Sequence, residues 1–143
     1  MPALIPEFAV TDWQRSKAFY LALGFVVSYE RPEEGFAYLT LGEAALMIDQ
    51  IGEGRTFDDG HLPENYPFGR GLNVQIEVAA IAPLVDALWA MQHQLYLAPE
   101  TRWYRRGDME LGNRQFVVAD PDGYLLRFFE DLGERPVGGP DAL

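Results

Sequence analysis

The feature that most constrains this chain is a pattern of strand and helix signals used twice. Residues 4–10 read as a short strand, with Pro6 near its start, where a missing N–H is tolerated. Thr11-Asp12-Trp13-Gln14 has the form of a capping box, so a helix is expected to begin there. Trp13, Ala18, Phe19, Ala22 and Leu23 can share an inner helix face, and Gly24 stands where a C-cap glycine belongs. Strands are expected over 25–30, 36–41 and 44–50, separated by turns at 31–35 and 42–43. Residues 52–71 hold five glycines, two prolines and no hydrophobic period, and read as a long connection. The pattern then restarts with a strand at 71–78 and a helix at 81–94 whose inner side carries Leu84, Val85, Leu88, Trp89 and Met91. Extended segments follow at 95–97 and 103–106, and a last hairpin pairs 113–119 with 124–129. Its turn, Asp120-Pro121-Asp122-Gly123, uses Pro to preset φ and Gly to accept a positive φ.

The fold class expected is therefore α+β, a βαβββ unit used twice in one domain over 1–132. Module one spans 4–50, the connection 51–70 and module two 71–130, with a loose acidic tail at 133–143. Pairing the modules would make a cleft between the exposed faces of their sheets. The chain's 143 residues suit one core, and its hydrophobic share of 48% is enough to pack it. No cysteine is present, which removes disulfides, thiolate metal sites and cysteine nucleophiles. No apolar run is long enough to span a bilayer, and the start lacks a basic leader, so a cytoplasmic protein is expected. Net charge is −11, with ten arginines and the single lysine Lys17 against 22 acids. Such a surface repels nucleic acid and anionic membrane and favours cationic ligands, although acidity also serves solubility alone. No phosphate loop, dinucleotide fingerprint or nucleophile elbow occurs.

Two stretches carry a resemblance to a known family. The first is residues 5–25, with Val10-Thr11-Asp12 leading into Ser16-Lys17-Ala18-Phe19-Tyr20 and Leu23-Gly24-Phe25. The second is residues 114–130, built on Asp120-Pro121-Asp122-Gly123. Together with the doubled βαβββ pattern they resemble the vicinal oxygen chelate superfamily of glyoxalases, dioxygenases and bleomycin-resistance proteins. The resemblance implies paired βαβββ modules around a mixed-sheet cleft. It covers nearly the whole chain except the tail. The fold hosts many chemistries, so residues at the cleft must decide the function.

Metal enzymes of that superfamily place His, Gln and Glu ligands on the first and last strands of each module. The matching positions here hold Ile5, Met47, Asn73 and Arg127, with Glu7, Asp49 and Gln75 on the same faces. Ile and Met offer no hard oxygen donor, and a guanidinium repels a cation. The two histidines, His61 and His93, fall in the connection and near a helix end, off the ligand strands. No metal and no cofactor is therefore expected. An oxygen-only site from Glu7, Asp49, Asn73 and Gln75 would need shifted strand registers.

A cleft without metal is similar to that of the bleomycin-resistance members. These form homodimers that sequester two drug molecules in grooves between the chains, often with an N-terminal strand exchanged on a proline hinge; Pro6 or Pro2 stands there. A planar cationic drug needs aromatic faces and carboxylates. The ligand-binding candidates are thus Tyr29, Phe36, Tyr38 and Trp103, with Glu7, Asp49, Met47, Asn73, Leu111 and Arg127 around them. Leu111 replaces the tryptophan usual before the glycine of the penultimate strand, which counts against bleomycin itself. Arg102, Arg105, Arg106 and Arg127 offer an anion-binding alternative or a solvated strand end. The reading is an antibiotic-binding protein acting on a small molecule. The alternatives are a divalent-metal glyoxalase-like lyase or dioxygenase, and a divergent metabolite binder.

Overall fold

A computed structural model describes residues 2–138; the end of the expected tail, 139–143, lies outside the described residues. Eight strands and two α-helices follow the doubled order: β1 (Glu7–Val10), α1 (Trp13–Ala22), β2 (Val26–Arg31), β3 (Phe36–Leu41) and β4 (Ala44–Gln50), then β5 (Asn73–Glu77), α2 (Ala82–Ala90), β6 (Leu97–Arg106), β7 (Met109–Ala119) and β8 (Leu125–Pro136). Each module forms one four-stranded sheet, ordered β1-β4-β3-β2 and β5-β8-β7-β6. In each, the strand before the helix lies parallel to the last strand and the others are antiparallel. A parallel pair needs a long crossover, and the helix with its following strands provides it.

Alternation along the strands sorts the side chains. Phe8, Val10, Ala37, Leu39, Leu46 and Ile48 of sheet one, and Ile76, Phe116, Val118, Leu126 and Phe128 of sheet two, are buried in one continuous core with both helices. The opposite faces carry the cleft candidates. α1 buries Trp13, Ser16, Phe19 and Tyr20, while Ala18 and Ala22 stay exposed. Larger side chains one position away claim the interface, because they gain more from burial. The cap also differs from expectation: Asp12 is the N-cap and accepts from Arg15 N at 3.1 Å. Thr11 is instead drawn to module two, its hydroxyl donating to Asp122 Oδ1 at 2.5 Å.

α2 is shorter than its apolar pattern suggests. It ends at Ala90, and Gln92 takes φ 56°. Trp89, still within the helix, is 85% exposed on its outer side, and Met91 is also exposed, while Ile81, Leu84 and Leu88 supply the core contacts. His93 serves structure: its Nε2 lies 2.7 Å from Ala119 O and its ring packs on Phe19. At the other end of the chain, β8 runs on through Pro136, pairing with β7 as far as Met109. Residues 133–136 are therefore strand and not loose tail. Arg135 fastens this extension, its Nε 3.0 Å from Glu110 Oε1 and its guanidinium 4.0 Å from the Trp103 ring centroid.

The modules are joined by the last turn. Asp120 is buried and accepts from Tyr20 Oη at 2.6 Å, from Tyr124 N at 2.9 Å and from Asp122 N at 3.0 Å. Burial pushes its carboxyl up to about 6, against the pull of those hydrogen bonds. Burial, then the adjacent Asp120 charge, raises the Tyr20 hydroxyl as well, so it stays a donor. Tyr20→Phe leaves this buried carboxyl short of a partner and is expected to cost about 1–3 kcal/mol. Urea unfolding should show a lower midpoint at unchanged slope.

Candidate ligand-binding clefts

A cavity of about 600 Å³ lies where the connection folds over the exposed face of sheet one. Its floor is Glu7 and Asp49, placed by the parallel register that sets Glu7 beside Met47 and Ala9 beside Asp49. Its walls include Phe57 and Phe68 of the connection and Tyr124 from the last turn. Tyr124 is fixed twice: its ring stacks on Phe8 at 4.2 Å, and its hydroxyl donates to Ala9 O at 2.9 Å. The connection is pinned to the same turn by Phe68 N donating to Asp122 O at 2.8 Å. A Cβ on Gly69 would stand 2.8 Å from Tyr124 Cα, so the close approach needs a glycine.

Asp49 is 3% exposed, and its Oδ2 has no hydrogen-bond partner. Gly54 covers it so closely that a Cβ there would meet Asp49 Oδ1 at 2.8 Å. Burial first, then the neighbouring Glu7 carboxyl, push Asp49 up to about 7; Glu34 adds to this and Arg31 opposes it. The floor therefore holds one acid that ionises near neutrality beside a second carboxyl. Arg55, Asp59, His61 and Arg70 also reach this cavity. Arg70 is committed to carbonyls, with Nε 2.9 Å from Pro67 O, and His61 pairs with Asp59 at 3.0 Å.

The remaining candidates do not converge on this floor. Tyr29 and Tyr38 stack at 5.2 Å and line a separate hollow beside Ser28 and Thr40. Phe36 and Tyr38 are themselves only 4% and 5% exposed, packed with Ala45 under Ile5 and Met47, and Arg31 lies 4.0 Å over the Phe36 ring. Within this chain Phe36 is thus an interior residue of the sheet face, while Met47 is partly exposed and packs over it with Ile5. Leu111 and Arg127 line a third hollow of about 520 Å³ on sheet two, with Gln75 and Tyr104. Asn73 is exposed at the start of β5.

Trp103 departs from its expected place. It pairs with Gly112, on the face of sheet two opposite Tyr104, and a Cβ on Gly112 would meet its ring at 2.6 Å. With Gly112 against the ring and Arg135 over it, Trp103 clamps the β6–β7–β8 extension. The aromatic facing the sheet-two hollow is its neighbour Tyr104, whose hydroxyl accepts from Gln115 Nε2 at 2.6 Å. Strand parity could have found Tyr104. The aromatic residues of the connection, Phe57 and Phe68, carry no period that announces them.

A divalent metal does not fit these residues. Ile5 and Met47 lack hard donors, Arg127 carries positive charge, and Glu7 with Asp49 lies on one sheet while Asn73 and Gln75 lie on the other. Among the described residues no three His, Asp or Glu side chains come together in a metal-binding group. No helix among them is long and apolar enough to cross a membrane.

Fold and site together define a paired βαβββ domain with small-molecule-sized hollows on the outer sheet faces. Residues 5–128 match the glyoxalase/bleomycin resistance protein/dioxygenase superfamily, and the chain belongs to it. A superfamily member from Vibrio splendidus 12B01 is 36% identical, over 90% of this chain and 97% of that one, with a TM-score of 0.40. TioX from Micromonospora sp. ML1 is 21% identical over 92% and 100% of the two chains, with a TM-score of 0.66. A bleomycin-binding protein complexed with bleomycin is 19% identical over 91% and 98%, with a TM-score of 0.58. No curated protein matches the chain.

The Asp49 carboxyl sets a pH dependence. Its value rises from an ordinary 3.8 to about 7 on folding, so between about pH 4 and pH 7 the folded state holds a proton that the unfolded chain has released. Stability contributed at low pH is therefore lost as pH rises through that window. Asp49→Asn should unfold at higher urea than the parent at pH 8, and the gap should shrink at pH 5 by on the order of 1–3 kcal/mol. Asp120, also raised, leaves part of the slope in the variant.

Proposed function

We propose that this protein is a metal-free small-molecule binder that sequesters a planar, cationic compound and leaves it chemically unchanged. The observation that carries this reading is the cavity floor, where Glu7 and the buried Asp49 lie together beneath the rings of Phe57, Phe68 and Tyr124. Carboxylates against aromatic faces recognise an organic cation through charge and ring quadrupole together. The Asp49 carboxyl, buried beside Glu7 with no donor on its Oδ2, adds negative charge to that floor once it ionises. The structural likeness to a bleomycin-binding protein supports the reading at the level of the fold, and bleomycin is the first compound to test.

The protein acts as a homodimer in this reading. Sheet faces that carry Tyr29 and Tyr38 in one chain, and Tyr104 and Leu111 in another, then close into shared grooves. Exchange of the segment around Ile5 and Pro6 would uncover Phe36 and Tyr38, against which Ile5 packs in the single chain. Antibiotic resistance would follow from sequestration in the cytoplasm.

Titration of metal-stripped protein with metal-free bleomycin tests this by calorimetry and tryptophan fluorescence. Binding should saturate near one ligand per chain, weaken with salt, and strengthen from pH 6 to pH 8 as Asp49 ionises. Glu7→Gln should weaken it about tenfold, the scale of one charged hydrogen bond. Absence of binding, or affinity indifferent to Glu7→Gln and pH, sinks the assignment and leaves the fold standing.

A further inference from the structure

The face of sheet two carries a cation that no group among the described residues answers. Arg127 sits on β8, the strand flanked by β5 and β7, with Gln75 and Val117 as its register partners. It lines the hollow of about 520 Å³ with Gln75, Tyr104, Leu111 and Phe129. Its Nε is buried and has no hydrogen-bond partner, and among the described residues its guanidinium enters no ion pair. The neighbouring arginines are committed: Arg106 to Glu134 at 3.1 Å, and Arg135 to Glu110 at 3.0 Å. Arg102 lies 6.0 Å from the Tyr104 ring centroid.

A buried donor of a charged group without a partner costs stability, and such groups are found where something else completes them. Nearby acids do not fill the role. Glu77 and Asp131 line the same hollow, yet neither pairs with Arg127, and Glu100 accepts from Gln115 Nε2 at 2.9 Å. We propose that Arg127 anchors the carboxylate of an organic acid in the hollow of sheet two, with the acid's apolar body against Tyr104, Leu111 and Phe129. A planar guanidinium fork matches a carboxylate through two parallel hydrogen bonds. The Gln75 amide, beside Arg127 in register, offers a further donor. Tyr104, Leu111 and Phe129 give the hollow an apolar side that suits a monocarboxylate with an aromatic or alkyl body, and Glu77 and Asp131 in the same lining disfavour multiply charged anions. This site lies on a different sheet from Glu7 and Asp49, and its occupancy does not require the function proposed above.

Benzoate and its neutral analogue benzamide test the assignment, titrated into the full chain by calorimetry at low and high salt. Benzoate should bind saturably and at least tenfold more tightly than benzamide, and salt should narrow the difference. Arg127→Gln should abolish that preference, while Arg127→Lys keeps part of it because the charge remains and the fork is lost. Glu7→Gln should bind benzoate as the parent does. Circular dichroism establishes that each variant is folded; if Arg127→Gln is not, Arg127→Lys and the salt response decide. Equal binding of benzoate and benzamide, undiminished binding by folded Arg127→Gln, or Arg127→Lys matching the parent overturns the proposal.

Discussion

The turn Asp120-Pro121-Asp122-Gly123 is the joint on which the rest of the molecule depends. Three residues around it reach into module one. Asp120 takes the Tyr20 hydroxyl from α1, Asp122 takes Thr11 at the end of β1, and Tyr124 stacks on Phe8 and bonds Ala9. A buried carboxylate is costly unless its acceptor sites are filled, so this arrangement tolerates little rearrangement. It fixes the sheets relative to each other and sets Tyr124 as a cavity wall. It also anchors the connection through Phe68, so the same contacts that join the modules shape the hollow above Glu7 and Asp49.

The two outer faces have opposite chemical character although they arise from one repeated pattern. Sheet one presents Glu7 and Asp49 at its floor, and sheet two presents Arg127 and Gln75. Each pair lies across a parallel β1–β4 or β5–β8 register, which brings the first and last strands of a module side by side. That juxtaposition is what the fold offers any chemistry built on it. Here it is filled with an acid pair in one module and a guanidinium with an amide in the other. Neither is a ligand set for a hard divalent ion, since one site is short of donors and the other carries the wrong charge.

Much of the fold was legible in the chain. The boundaries of β3 and β4 follow from alternating apolar residues between glycine-marked turns, and strand parity put Glu7 and Asp49 on one outer face, while Leu111 and Arg127 were reached only through the family resemblance. Errors came where tertiary contacts outweigh local pattern. Trp89 and Met91 continue an apolar helical stripe, yet the chain leaves the helix at Ala90 so that His93 can meet Ala119. Thr11 has the form of a cap but bonds across to Asp122, and Asp12 caps in its stead. Trp103 looks like a ligand platform and is held between Gly112 and Arg135, a pairing formed only when β8 extends beside β7.

The sequence by itself determined the doubled βαβββ order, the inward and outward parity of each strand, and the lack of a metal-ligand set at the expected positions. These depend on residue type and on periods of two and 3.6, which are local properties. Tertiary structure alone decided that Glu7 and Asp49, Tyr29 and Tyr38, and Leu111 and Arg127 line three separate hollows, that Phe36 is covered within the chain, and that the connection supplies Phe57 and Phe68 as walls. It also decided the state of Asp49, whose carboxyl is perturbed by burial beneath Gly54 and by Glu7, more than forty positions away in sequence. Burial and the proximity of distant charges are properties of the folded arrangement, and no local period encodes them.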